Sequence, residues 1–235
     1  MLFFYIRHGD PIYDPDQLTP RGKRQAEAVA KRLCLYGLDK IYASTSTRAI
    51  QTATPTSEIM KKDIEQLDFA NEKHAWEGLT VERNGKRDWV FQDKEIKNLF
   101  TEPEVVNLGF NWYDHPELKE YKDGYKKIYK NTAEFFKTLG YEKIENTGKY
   151  KVIKENNERV ALFAHQGFGL AFLSAVLDIP YPSFSRHFDM WHTGVTVIEF
   201  KNEDGFSVPR VLTLSNDSHL YREGLPTKYS EEWYF

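Results

Sequence analysis

Arg7 and His8 follow the apolar run 2–6, Arg48 lies just beyond the short apolar run 40–43, and His165 follows the run 159–164. Each of these four residues stands where the chain is expected to leave a β-strand. Two fixed positive charges and two imidazoles at one edge of a sheet would suit a phosphate dianion. A guanidinium offers a planar fork of donors that matches phosphate oxygens and does not lose its charge. A neutral imidazole can attack phosphorus and carry the phosphoryl group as phosphohistidine. The second imidazole, if protonated, would stabilise the equatorial oxygens, and backbone N–H groups near Thr45 to Thr47 could add donors to the same anion.

These residues meet only if the intervening chain folds as strand–loop–helix units. Residues 2–6 read as a buried strand ended by Gly9 and Pro11. Thr19-Pro20 reads as N-cap and first helical position of a helix that runs to Tyr36, where Gly37 suits a left-handed cap. A second strand covers Lys40–Ala43, and the following helix contains Arg48 and Ala49, with Pro55 expected to kink or restart it. From about 64 to 120 the chain becomes rich in Trp, Phe, Asn and charge and loses periodicity, as an insertion would. Helical spacing returns over Tyr121–Leu139, closed by Gly140, and Lys143–Asn157 reads as a loop or ragged hairpin. The strand Arg159–Ala164 leads to a helix over Phe168–Leu177. Val195–Phe200 and Phe206–Leu214 then read as an antiparallel hairpin with Pro209 at an edge. The alternation predicts a three-layer α/β/α fold with a mostly parallel sheet, whose sites lie at the carboxyl ends of the strands. A single domain over 1–235 is expected, with a helical lid insertion at about 81–130 over the active site.

Bulk properties exclude other classes. With 32 basic and 35 acidic residues the net charge is −3, so nothing global favours nucleic acid or an anionic membrane. The opening apolar run is too short to span a bilayer and lacks the flanks of a secretory signal. One cysteine, Cys34, rules out an internal disulfide framework and is expected to pack on the apolar stripe of its helix. No zinc-type Cys/His spacing occurs. The expectation is a cytoplasmic protein that takes a small phosphorylated substrate and needs neither metal nor cofactor, with no nucleic-acid or membrane partner. Nothing in the sequence speaks to oligomeric state.

Four ordered motifs carry a resemblance: Arg7-His8-Gly9; Leu18-Thr19-Pro20-Arg21-Gly22 with Gln25-Ala26; Ser44 with Arg48-Ala49-x-Gln51-Thr52-Ala53; and Ala164-His165-Gln166-Gly167. Together they resemble the histidine phosphatase superfamily, also called phosphoglycerate-mutase-like, over most of 1–80 and 158–215. The resemblance implies that His8 is the nucleophile that becomes phosphorylated and that Arg7, Arg48 and His165 form the phosphate pocket. It implies a metal-free phosphatase acting on a phosphate monoester. Asp10 and Gln166 depart from residues common in the family at those positions. The Glu-Arg-His-Tyr-Gly segment of the mutase branch has no counterpart; Asn71 to Gly78 stands roughly in its place, which favours a phosphatase. The alternatives are a mutase-type phosphotransferase and a catalytically weak phospho-ligand-binding domain.

The resemblance also places a general acid shortly before the lid. Aligning Trp76-Glu77-Gly78 with the relatives' Trp-Glu-Gly puts the usual glutamate at Ala70, so a shift of about two residues is needed to reach Glu72. Glu72 is the first candidate, Glu77 the second, and Asp10 a third. A protonated acid at work here implies an acidic to near-neutral optimum. His192, before a predicted strand, is a candidate for the pocket border, and His219 is similar. His74, His115 and His187 read as surface residues. Trp89, Phe91, Phe100, Phe110, Trp112 and Tyr113 read first as the lid's own small core, and second as a platform selecting an organic leaving group.

Overall fold

The computed structural model describes residues 1–225 and 227, so the end of the expected 1–235 domain lies outside the described residues. The chain runs through β1 (Leu2–Arg7), β2 (Pro11–Tyr13), β3 (Asp16–Leu18), α1 (Pro20–Tyr36), β4 (Lys40–Ser44), α2 (Thr47–Met60) and β5 (Ile64–Leu67). Next come α3 (Glu72–Gly78), β6 (Thr80–Arg83), β7 (Lys86–Trp89), α4 (Lys94–Leu99), α5 (Pro103–Leu108) and α6 (Lys122–Thr138). The remainder is β8 (Tyr141–Ile144), β9 (Lys149–Val152), β10 (Arg159–Ala164), α7 (Gln166–Leu177), α8 (Tyr181–His187), β11 (Val195–Glu199), β12 (Phe206–Ser207), β13 (Arg210–Asn216) and α9 (Ser218–Arg222).

Six strands form the main sheet in the order β13-β11-β1-β10-β4-β5, with β1, β10, β4 and β5 parallel and β11 antiparallel to β1. Because side chains alternate along a strand, one apolar run feeds two cores. Phe4, Ile6, Ala161, Phe163, Ile41 and Ala43 face Val29 and Leu33 of α1 and Ala53 of α2. Phe3, Tyr5, Val160, Leu162 and Tyr42 face the other way, onto Phe135 and Phe136 of α6 and Phe172 of α7. The result is the expected three-layer α/β/α arrangement.

That arrangement fixes where a ligand can sit. β1 exits toward the α1 face and its neighbour β10 exits toward the α7 face, so the chain diverges between them and leaves a crevice at their carboxyl ends. The register pairs Arg7 with Ala164. His8 and His165 therefore flank that crevice side by side, and His8 N–H donates to Ala164 O over 2.9 Å.

Local chemistry explains the loops that follow. Thr19 caps α1 by accepting from Gly22 N–H, Pro20 opens the helix, and Gly37 closes it at φ 74°. Gly9 and Gly22 press against one another: a Cβ on Gly9 would lie 2.7 Å from Gly22 O, and one on Gly22 would collide with Asp10 O. Two motifs distant in sequence are thus required to be glycine by one backbone contact. Gln25 accepts from Asp10 N–H, Gln51 from Leu18 N–H, and Thr52 Oγ1 from Gly9 N–H. The polar residues of the second and third motifs are the lacing that holds the His8 loop.

Several expectations are corrected. α2 runs through Pro55 as one element, with Ala49, Thr52, Ala53 and Thr56 buried on either side of it. Packing against α1 offsets the ~3 kcal/mol cost of an interior proline. The last hairpin is divided at Val208-Pro209: β13 pairs with β11 at the edge of the main sheet, whereas β12 joins β9 and β8 in a separate sheet. Proline, lacking an N–H, interrupts the ladder there. Cys34 is only half-buried. By contrast, Lys143–Asn157, read as a loop or ragged hairpin, does carry a hairpin turn, between β8 and β9.

The stretch expected to form the lid opens on a hairpin, β6–β7, whose turn residues Asn84 and Gly85 have φ 53° and 73°. Short helices α4 and α5 and 3₁₀ turns at Gly109–Asp114 and Pro116–Tyr121 follow. From Lys122 onward the chain is α6, part of the layer packed on α7. Phe100, Trp112 and Tyr125 cluster with Tyr181 of α8 and join the main core on the α6–α7 face, so the expected separate small core of the lid is corrected.

Candidate active site

His8 is buried, and its Nδ1 lies 2.7 Å from Gly9 O. A carbonyl can only accept, so Nδ1 carries the proton and Nε2 keeps its lone pair. Burial, followed by the charges of His165, Arg7 and Arg48, pushes the His8 imidazole well below its ordinary value. It is therefore neutral at pH 7, as a nucleophile must be.

His165 is equally buried, and its backbone is gripped by Tyr5: the phenol donates to His165 O over 2.6 Å and accepts from His165 N–H over 3.2 Å. A Cβ at Gly169 would lie 2.5 Å from the Tyr5 hydroxyl, so the first turn of α7 needs glycine there to admit the phenol. The ring's Nδ1 faces Arg48 Nη2 at 3.1 Å and its Nε2 faces Ser44 Oγ at 2.8 Å. Since a guanidinium only donates, Nδ1 accepts and Nε2–H is given to Ser44. Burial and then Arg48 and Arg7 hold this imidazole well below its ordinary value. The second imidazole, which would stabilise equatorial oxygens if protonated, is thus held neutral, and the positive charge at the site comes from the two guanidinium groups.

Arg48 is the hub. Nη2 also donates to Glu72 Oε2 over 2.9 Å, and Nη1 donates to Asp16 Oδ1 over 2.8 Å. Asp16 Oδ2 takes the Thr47 N–H, and Ser46 N–H is given to Ser44 Oγ. These backbone donors, expected to face the anion, are thus engaged within the protein. At the start of α7, Gly167 N–H donates to Glu72 Oε1 over 3.0 Å. Arg7 donates from Nη1 to Met190 O over 2.6 Å. The Nε atoms of Arg7 and Arg48 are buried without a hydrogen-bond partner, a state that costs about 1–3 kcal/mol each and that an oxyanion would relieve.

Glu72 opens α3, where Asn71 caps the helix and reaches Thr45 Oγ1 over 2.8 Å. The structure thus brings Arg7, His8, Arg48, Glu72 and His165 together. It does not bring in Glu77, which is exposed on the far side of the same short helix. Asp10 accepts from Thr19 Oγ1 at 2.7 Å, and its carboxylate lies 3.7 Å from His192 Nδ1. The His192 ring is 5.8 Å from that of His8 and, through burial and then Arg7 and Arg21, is pushed down to about 3. His192 therefore borders the site as a neutral ring. His219 sits away from it, against Thr193 and Arg32.

One ligating atom each from His8, Glu72 and His165 lie within 4.8 Å of one another, a grouping able to hold a cation. Arg48 Nη2 lies against two of these ligating groups, donating to Glu72 Oε2 and to His165 Nδ1.

Sequence reasoning missed Asp16 and Tyr13. Both lie on the β2–β3 hairpin, and the Tyr13 ring stands 5.3 Å from the Arg48 guanidinium. The hairpin has only three residues per strand, too few for alternation to be legible.

Residues 4–107 match the model of the histidine phosphatase superfamily (branch 1). That match spans a little under half of the chain and marks it as similar to the histidine phosphatase superfamily. Its fold is similar to that of a phosphoserine phosphatase mutant from Entamoeba histolytica in complex with phosphoserine, with TM-score 0.61 and 18% identity over 93% of this chain and 98% of that one. A mycobacterial glucosyl-3-phosphoglycerate phosphatase gives TM-score 0.57 and 16% identity over 92% and 98% of the two chains. Among curated proteins, the mitochondrial serine/threonine-protein phosphatase Pgam5 of Drosophila melanogaster is 43% identical over 75 residues. That match spans 29% of this chain and 24% of the relative. Among the described residues no helix is long and apolar enough to cross a membrane.

Proposed function

We propose that the protein is a metal-independent phosphatase that hydrolyses a phosphate monoester through a covalent phosphohistidine at His8. The observation that carries this reading is the Nδ1 contact of His8 with Gly9 O, 2.7 Å, which leaves a neutral Nε2 lone pair beside Arg48, Arg7 and His165. Nε2 attacks phosphorus as the ester P–O bond breaks, while the guanidinium groups hold the phosphoryl oxygens. The departing oxygen takes a proton from the Glu72 carboxyl group. A water then attacks the phosphohistidine, giving its proton to Glu72 as the P–N bond breaks, and inorganic phosphate leaves.

Glu72 occupies two donors that a phosphate would use, Arg48 Nη2 and Gly167 N–H. Substrate therefore enters by exchange: its dianion takes these donors and the carboxyl group turns to the leaving oxygen. The lack of a Glu-Arg-His-Tyr-Gly segment favours hydrolysis over mutase chemistry. Arg7, Arg48 and the neutral imidazoles are retained together, which favours turnover over mere binding.

The test is steady-state turnover of an aryl phosphate in excess chelator. Activity that persists in chelator and disappears in His8→Ala supports the reading. Activity lost to chelator and restored only by a divalent ion contradicts it.

A further inference from the structure

A cleft of about 520 Å³ opens beside Arg48 and Glu72, walled by Trp76, Trp89 and Tyr13, with Asp88 and Gln92 among its polar lining. We propose that Trp76 and Trp89 determine specificity by seating an aromatic ring carried by the leaving alcohol, so that the substrate class is an aromatic-bearing alkyl phosphate. This rests on the phosphatase reading above and adds the identity of the organic half.

The geometry comes from one short helix and one hairpin. Glu72 and Trp76 are four residues apart on α3 and so share a face, separated by about 6 Å along the axis. The group proposed to protonate the leaving oxygen and the first indole thus line up in series. Trp89 ends β7 and lies over the start of α7, where a Cβ at Gly167 would collide with its indole ring. Gly167 is the residue whose N–H holds Glu72. Trp76 and Trp89 meet at 84° with centroids 4.9 Å apart, forming a corner with two apolar walls. Neighbours back the corner: Phe91 stacks on Trp89 at 5.5 Å, and the Arg87 guanidinium stands 5.8 Å from the Trp76 ring. Both indoles are partly exposed, so an incoming ring would bury their free surface. A ring about one helical turn from the ester oxygen fits this spacing; a bare polyol would leave both walls wet.

The experiment compares kcat/KM for 2-phenylethyl phosphate and 2-hydroxyethyl phosphate, whose leaving groups are both primary alcohols. The protein should prefer the phenylethyl ester by roughly tenfold. Trp76→Ala should remove that preference through KM, leaving the hydroxyethyl ester within about threefold of the unaltered enzyme, and Trp76→Phe should restore most of it. Trp89→Leu provides an independent arm should Trp76→Ala fail to fold. No preference, or a preference that survives both substitutions, overturns the proposal while leaving the phosphatase reading intact. Hydrolysis of neither ester overturns both.

Discussion

Arg48 and Glu72 are joined in the site by a 2.9 Å contact from Nη2 to Oε2. The same Nη2 lies 3.1 Å from His165 Nδ1, and Nη1 lies 2.8 Å from Asp16 Oδ1. One guanidinium thus organises an imidazole and two carboxylates by direction as well as charge. Only a planar fork can serve three partners from different elements at once.

Arg48→Lys should accordingly lower kcat/KM by about 10²-fold or more, the cost typical of losing an aimed transition-state donor. Charge is conserved in this variant, so the loss measures geometry. A kcat/KM within about threefold of the parent would show that the fork geometry of Arg48 is not used in the transition state.

Glu72→Gln and Glu77→Gln separate the two carboxylates. Proton donation to a poor alkoxide leaving group contributes ~10²–10⁴-fold, whereas an aryl oxide needs little help. Glu72→Gln should slow an alkyl phosphate by that factor and an aryl phosphate far less, and Glu77→Gln should slow neither. Equal slowing of both esters by Glu72→Gln would mean that its role is to hold Arg48.

Much of this site is legible in sequence because strand exits are legible: apolar runs of four to six residues ending at Arg7, Ser44 and Ala164 mark the edge where His8, Arg48 and His165 gather. The capping of α1 is legible for the same local reason, through Thr19, Pro20 and Gly37. The hairpin carrying Asp16 and the choice between Glu72 and Glu77 are not, since both depend on contacts across at least 24 residues. Pro55 suggests a helix restart that does not occur, because propensity is a local term and α2 is held by its packing on α1. Trp89 is among the aromatics read as a possible platform, but its pairing with Trp76 escapes detection because two aromatics thirteen positions apart carry no periodic signal.

The buried imidazoles set a pH dependence of stability. His8 and His165 are held well below their ordinary values, His192 is pushed down to about 3 and His219 to about 4, burial being the first cause in each. A folded-state value below the unfolded one, about 6.5, means that the unfolded chain binds more protons between the two. Stability is then full above pH 6.5 and falls as the pH drops toward 4, by up to about 1.4 kcal/mol per pH unit for each such group. The urea midpoint should therefore decrease from pH 7 to pH 5. A midpoint unchanged over that interval would show that these rings are protonated in the folded protein.

The most direct measurement is rapid quenching of the enzyme with substrate labelled at phosphorus, followed by mapping of the label. The mechanism predicts acid-labile, base-stable label on His8, formed at least as fast as turnover and absent from His8→Ala. Label that persists in His8→Ala, or turnover with no phosphoenzyme at any time point, would contradict attack by His8.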